Sequence, residues 1–351
     1  MFIPENIKKA VALAIKCNVP FVAYVLPHSD EVVFFSDPDE SFQLRSDRRF
    51  IVCGWCGGSH DEYPINDRAD AETLINTSSE LSVRQSALTS VWSETTDKKS
   101  YEQSLDQVIE YLQDHGGKVV VSRTISNSAD NIDWTKVSER YFDLHDEAFR
   151  YIYFTPRHGF WLGASPELLL KVSSGEFSTM ALAGTREISQ NAQPWSGKNI
   201  AEQGIVRNYI VDKLYDLGLN PECSATETVT TGNIQHLMTV ITGSANGCSP
   251  SEIIHSINPT PALAGYPLQA ALEQIAAVER HPRRCYGGYV AVETAGSFSA
   301  YVNLRCVNFD HDRWCLYVGS GIMPDSDIDD EWQETDSKAH ILRNLIEDSQ
   351  Q

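Results

Sequence analysis

The stretch "YGGYVAVETAGSFSAYVNLRCVNFDHDRWCLYVGSGI", residues 286–322, decides the fold. It holds three apolar runs, 286–294, 298–309 and 314–322, joined by "TAGS" and "DHDR". Connections that short reverse the chain, so successive runs pair antiparallel. Similar runs stand upstream: "FVAYVL" (21–26), "EVVFFSD" (31–37), "RFIVCGW" (49–55), "KVVVSRTI" (118–125), "RYIYFTP" (150–156), "GFWLGAS" (159–165), "ELLLKVS" (167–173) and "EFSTMALAG" (176–184). The last two flank the tight turn "SSGE". Helical spacing of apolar residues lies at about 5–17, 100–115, 136–147, 199–217, 266–278 and 328–348. Meandering strands mixed with helices predict an α+β fold with largely antiparallel sheets, not a doubly wound parallel sheet.

The chain has 351 residues, 42% of them hydrophobic, enough for a sizeable core. The polar run 184–199 reads as a loop between a strand and a helix. The stretch 76–100 is the candidate boundary between an N-terminal part and the rest. A net charge of −20 argues against a nucleic-acid or anionic-membrane surface. It leaves room for an anionic substrate where the local field is positive or a metal ion is bound. The N-terminal "MFIPENIKKAVALAIKCNVPFVAYVL" is interrupted by Lys16, Asn18 and Pro20, so it predicts a short helix and a strand, not a signal peptide. No stretch approaches the ~18 apolar residues of a membrane span. Eight scattered cysteines predict reduced thiols and a cytoplasmic location, and Cys53 and Cys56 read as two incidental thiols at a strand end.

Two helical patterns carry chemistry. In "SDIDDEWQETDSKAHILRNLIED" (326–348) the apolar face of Ile341, Leu342 and Leu345 extends backwards to Lys338, Glu334 and Glu331. In "NIAEQGIVRNYIVDKLYDLGL" (199–219) the face of Val206, Tyr209 and Ile210 extends back to Glu202. Acids favour first turns of helices because of the macrodipole. Two helices opening their inward stripes with acids also suit a shared divalent cation, since carboxylate oxygens bind magnesium. Lys118 opens a strand on the face of Val120 and Ser122. Glu167 follows a Ser-Pro turn at the start of a leucine-rich strand. Each could be an ordinary solvated end residue.

Seven segments then stand in order: "KVVVSR" (118–123), "GFWLGASPELLL" (159–170), "ALAGTRE" (181–187), "NIQHLMTVITG" (233–243), "NPTPALAGYP" (258–267), "NLRC" (303–306) and "YVGSGIMPDSDIDDEWQET" (317–335). Together they resemble the chorismate-utilising enzymes: isochorismate, salicylate, anthranilate and aminodeoxychorismate synthases. The resemblance runs from about residue 100 to the C-terminus. It implies one domain over 1–351, with a variable part to about 95 and a catalytic core from about 96. It also implies two similar halves whose antiparallel sheets pack face to face, with helices outside.

By matching motif, the resemblance makes Lys118 the base that activates water for attack at ring C2. Glu167 becomes the acid that protonates the departing C4 hydroxyl. Glu202 and Glu334 become magnesium ligands, with Glu331 in or beside that shell. Arg305 and Tyr286 would hold the enolpyruvyl carboxylate, helped by backbone N–H groups at Gly319 and Gly321. Gly184, Thr185, His236 and Ala262 would line the ring pocket, and Lys338 would stand near the metal. The implied cofactor is Mg2+ and the implied partner is chorismate, with no nucleic acid or membrane, in a monomer. The chain departs from the family pattern at Asn199, Ala201 and Gln203 around Glu202, and at Ser320, where alanine is common.

Ala183 stands where aminodeoxychorismate enzymes carry a lysine nucleophile. Ala262 stands where anthranilate and salicylate synthases tend to carry threonine. The expected activity is therefore isochorismate synthase, an isomerase. Salicylate synthase is the alternative, and anthranilate-type amination follows it. From another class, the chain could be a ligand-binding protein on a degenerate enzyme fold, which intact Lys118 and Glu167 argue against. The compact length points to menaquinone biosynthesis.

Overall fold

The computed structural model describes residues 3–38, 47–55, 62–81, 92–188, 193–231 and 234–350. In chain order the elements are α1 (Glu5–Cys17), β1 (Phe21–Val25), β2 (Val33–Ser36), β3 (Arg49–Cys53), β4 (Glu62–Asn66), α2 (Ala71–Asn76), α3 (Lys98–His115), β5 (Lys118–Ser128), α4 (Trp134–Asp143), β6 (Phe149–Thr155), β7 (Gly159–Ser165), β8 (Leu168–Ser173), β9 (Glu176–Glu187), α5 (Gly197–Asp216), β10 (Glu222–Cys223), β11 (Glu227–Thr231), β12 (Ile234–Ser244), α6 (Pro250–Ile257), β13 (Gly265–Tyr266), α7 (Leu268–Val278), β14 (Tyr289–Thr294), β15 (Ser297–Val302), β16 (Cys306–Phe309), β17 (Arg313–Ile322) and α8 (Ile328–Asp348).

The strands form two sheets. The first has the order β13-β5-β17-β16-β7-β6-β1-β2; the second runs β10-β12-β9-β8-β15-β14-β3-β4, with β11 beside β12. The expected antiparallel character holds, as in β5 with β17 and β9 with β12. The sheets pack face to face over a core rich in aromatic and sulfur side chains, including Tyr24, Phe50, Tyr151, Tyr153, Trp161, Cys285, Cys306 and Tyr317. Helices α1, α4 and α8 cover the outer face of the first sheet, and α5 and α6 that of the second. Both faces of the central strands are therefore buried. That is why β1, β6 and β7 read as unbroken apolar runs rather than as alternating ones. Each fully buried Phe or Leu contributes about 1.5–3 kcal/mol, so the sandwich interior carries stability and leaves its open end free for polar groups.

One sequence expectation is corrected at a place that matters. The run 298–309 reads as a single strand, but it is two strands in different sheets. β15 pairs with β14 and β8, whereas β16 pairs with β17 and β7. The chain crosses between sheets at Asn303–Arg305, and Arg305 takes the left-handed region at φ +48° to make the bend. A second crossing lies between β7 and β8, through Pro166 and Glu167. Proline cannot donate to a ladder, so it suits a place where one sheet is left and another entered.

Helices α1, α3, α5 and α8 fall close to their expected ranges, and α4 ends earlier, at Asp143. Helix α6 was not among the expected helices, although Ser249 and Glu252 form a capping box that marks its start. The two-turn length hides it from an apolar-periodicity search. Residues 82–91 of the expected boundary, and Cys56, lie outside the described residues. The N-terminal strands β1–β4 extend both sheets. Among the described residues no helix is long and apolar enough to cross a membrane.

Candidate active site

The open end of the inter-sheet core is a cleft of about 690 Å³, counted with its mouth. The β5 and β17 ends, both sheet crossings, and the N-terminal parts of α5 and α8 border it. Lys118, Glu167, Gly184, Thr185, Glu202, His236, Ala262, Tyr286, Arg305, Gly319, Gly321, Glu334 and Lys338 all line this one cleft. Glu331 does not line it. Apolar wall residues Leu182, Leu263 and Leu304 and the aromatic Tyr317 also line it. Sequence reading missed these four, although each neighbours a motif residue or shares its strand.

Glu167 sits at the β7–β8 crossing with 3% of its surface exposed. Its backbone is held on both sides: its N–H donates to Ser165 Oγ (3.3 Å) and its carbonyl accepts from Val302 N (3.0 Å). Its carboxyl has no ion pair or hydrogen bond among the described residues. Burial pushes this carboxyl up to about 8, against the opposing pull of Lys118 and Lys338. It therefore carries a proton at neutral pH.

Arg305 sits at the other crossing. The Tyr141 hydroxyl donates to its backbone carbonyl (2.9 Å), which pins the left-handed bend. Burial lowers its guanidinium from the ordinary value, but arginine stays charged. Its side chain forms no ion pair among the described residues. Beside it Tyr286 stacks on Tyr317, with ring centroids 5.8 Å apart at 15°.

The helix-borne acids are all paired. Lys118 Nζ lies 2.8 Å from Glu202 Oε1, with Lys118 nearly inaccessible. The pair lies flat against β17 because residue 321 is glycine: a Cβ there would stand 2.3 Å from Glu202 Oε1 and 2.7 Å from Lys118 Cε. Lys338 Nζ donates to Glu334 (2.6 Å) and to Gly319 O (3.0 Å). Burial alone would raise Glu334, but Lys338 outweighs it and holds that carboxyl below the ordinary range. Glu331 is bonded to Lys198 and accepts from Ser326 Oγ (2.7 Å). Burial and the charge of Glu334 push Glu331 up. The question raised by inward-facing acids thus receives a direct answer: each has a lysine. Lys198, four residues before Glu202 on α5, escaped the sequence reading because it pairs across to Glu331 on α8.

His236 is buried, and burial with Arg305 and Lys338 drives it down to about 3, so the ring is neutral. Its Nδ1 lies 3.1 Å from Gly184 O. A carbonyl only accepts, so Nδ1 carries the hydrogen and Nε2 presents a lone pair. That Nε2 is buried and has no partner among the described residues. Gly184 itself has φ +72°, which a side chain rarely adopts, and its α-carbon abuts Asn199 at the start of α5.

Residues 44–347 match the model of the chorismate binding enzyme family. The chain belongs to that family. Isochorismate synthase EntC of Escherichia coli K12 is 31% identical over 243 residues, 65% of this chain and 62% of that relative. The match thus spans less than two thirds of that relative's length. The structure of MenF, the menaquinone-specific isochorismate synthase of E. coli, superposes with a TM-score of 0.74 at 21% identity, covering 95% of this chain and 91% of that one. Anthranilate synthase component I from Streptococcus pneumoniae gives a TM-score of 0.64 at 14% identity, over 92% and 89% of the chains. The same fold therefore carries both an isochorismate synthase and an anthranilate synthase component, and the fold alone does not choose between them.

Among the described residues, no three His, Cys, Asp or Glu side chains stand arranged as a metal centre. The donor chemistry nonetheless fits magnesium. Glu202, Glu331 and Glu334 come from two facing helix turns, and Glu331 Oε2 is buried without a partner. Carboxylate oxygens are the ligands magnesium takes.

Proposed function

We propose that the cleft converts chorismate to isochorismate. Water adds at ring C2, the C4 hydroxyl departs, and the ring double bonds shift between them. Lys118 accepts a proton from the attacking water. Glu167 gives a proton to the leaving hydroxyl, which departs as water, so the net change is an isomerisation. The observation that carries this reading is the Glu167 carboxyl, buried and without an ion-pair partner among the described residues, in one cleft with Lys118, Lys338 and Arg305. Hydroxide leaves poorly, and a carboxyl poised near 8 still holds the proton it must give.

The charges suit a dianion. Lys118, Lys338 and Arg305 against Glu202 and Glu334 leave one positive charge in the cleft of a chain with net charge −20. Arg305, with the Tyr286 hydroxyl and the backbone at Gly319, would take one carboxylate by charge-assisted hydrogen bonds. His236 Nε2 is an acceptor for a substrate hydroxyl. Glu202 and Glu334, with Glu331 beside them, would hold a magnesium ion, whose charge would offset those acids and the ring carboxylate. Lys118 can act as a base only after losing its proton, and its Nζ is engaged by Glu202 Oε1 at 2.8 Å. Base function therefore requires Glu202 to shift away from Lys118. Ala183 lines the cleft and offers no amine, which supports water as the nucleophile.

The test is incubation with chorismate and magnesium chloride, with and without excess ammonium, resolved by chromatography and mass. Isochorismate in equilibrium with chorismate is the expected product. Pyruvate with salicylate would move the assignment to salicylate synthase, and an ammonium-dependent aromatic amine to anthranilate chemistry.

A further inference from the structure

Lys198 is the second residue of α5, whose N-cap is Ser196. A cation in the first turn of a helix meets the positive end of the macrodipole, so the helix gains nothing from it there. The lysine instead reaches across to α8 and pairs with Glu331. Its own helix carries Glu202 one turn further on, and α8 carries Glu334 one turn beyond Glu331. The ammonium thus faces all three carboxylates. Burial alone would lower its pKa; Glu331 first, then Glu334 and Glu202, outweigh that and raise it.

Two further observations give this placement a meaning. Glu331 is 1% exposed, and its Oε1 accepts from Lys198 and Ser326, while Oε2 is buried with no partner among the described residues. An acid bound on one side only is held in a site that can take more positive charge. Lys198 itself has 23% of its side chain exposed, so solvent reaches it. Its flexible four-carbon stem lets the ammonium move out into water without moving the helix.

We propose that Lys198 is a built-in counter-cation that competes with a divalent cation for the carboxylates of Glu202, Glu331 and Glu334. Metal binding displaces its ammonium from Glu331 towards solvent. The inference rests on the reading that these acids hold magnesium, and it adds that the protein carries its own competitor for the site. The competitor keeps three facing acids from repelling one another, and it weakens magnesium binding.

The experiment is calorimetric titration of chelator-treated protein with magnesium chloride alone, alongside thermal unfolding with and without magnesium. Wild type, Lys198→Met, Lys198→Gln and Lys198→Arg are compared. Lys198→Met should bind magnesium about tenfold more tightly than wild type, the effect of removing one competing ion pair. Its melting temperature should be lower without magnesium and recover more with it. Lys198→Gln should behave in the same way, which covers the case in which the methionine variant does not fold. Lys198→Arg should stay near wild type. Equal or weaker magnesium binding by both neutral variants would overturn the inference while leaving the metal reading intact. Absence of magnesium binding in wild type and variants alike would sink the metal reading itself, and the inference with it.

Discussion

The two sheet crossings and the N-terminal parts of α5 and α8 both bring charged side chains to the same cleft, but they treat them differently. At the crossings, Glu167 and Arg305 stand without ion-pair partners among the described residues. At the helix turns, Glu202, Glu331 and Glu334 each have a lysine. The cause is local geometry. A strand leaving one sheet for another is hemmed in by ladder neighbours, and no flexible side chain reaches its carboxyl, so protonation is the cheaper way to bury it. A helix places a lysine one turn from an acid, as Lys338 is from Glu334, and the acid stays charged. Identical carboxyls are thus left without a counter-ion in one region and paired with lysines in the other.

The largest effect expected from breaking this contrast is at Glu167. Glu167→Gln keeps the shape and removes the proton, and turnover of chorismate should fall about 10²–10⁴-fold while the protein stays folded. Near-normal turnover would remove Glu167 from the chemistry. The same variant sharpens a pH prediction. A carboxyl raised to about 8 in the fold and ordinary in the unfolded chain favours folding below the unfolded value. That contribution is lost as pH rises towards 8, at up to ~1.4 kcal/mol per pH unit. Urea unfolding between pH 5 and 8 should show this decline in wild type and a flatter profile in Glu167→Gln.

At the other crossing, Arg305→Gln should lower kcat/KM about 10–100-fold, the scale of one lost charge-assisted contact to a carboxylate. The loss should sit mainly in KM, because the arginine holds the substrate without exchanging a proton with it. A pure kcat effect would place Arg305 elsewhere in the reaction.

A smaller effect is expected where the helix-borne pair meets the strand. Gly321→Ala puts a methyl 2.3 Å from Glu202 Oε1 and forces Glu202 and Lys118 off β17. Overpacking of this kind costs about 1–3 kcal/mol, readable by chemical denaturation. A neutral result would show that the pair can sit further from the strand.

Much of this contrast was legible in the residues, for different reasons in the two regions. The helix acids stood out because helical period exposes an acid on an apolar stripe. Their lysine partners were harder to read: Lys338 shares the stripe, but Lys118 comes from a strand far away in sequence, and Lys198 pairs across helices. The crossings were the opposite case. Short turns made the antiparallel strands plain, yet 298–309 read as one strand because both of its halves are apolar. Only the left-handed backbone at Arg305 reveals the change of sheet, and a sequence does not print a φ angle. The Ser-Pro before Glu167 was the visible signal of the other crossing. The environments of Glu167 and His236 follow from burial by distant strands, which no local pattern carries.

The most direct measurement is the protonation state of Glu167 itself. Infrared difference spectra between wild type and Glu167→Gln isolate its carboxyl band, and a pH titration follows it. A protonated C=O band that persists through pH 7 and disappears around pH 8 is the expected result. A carboxylate already ionised at pH 5 would contradict the division of roles between the crossings and the helix turns.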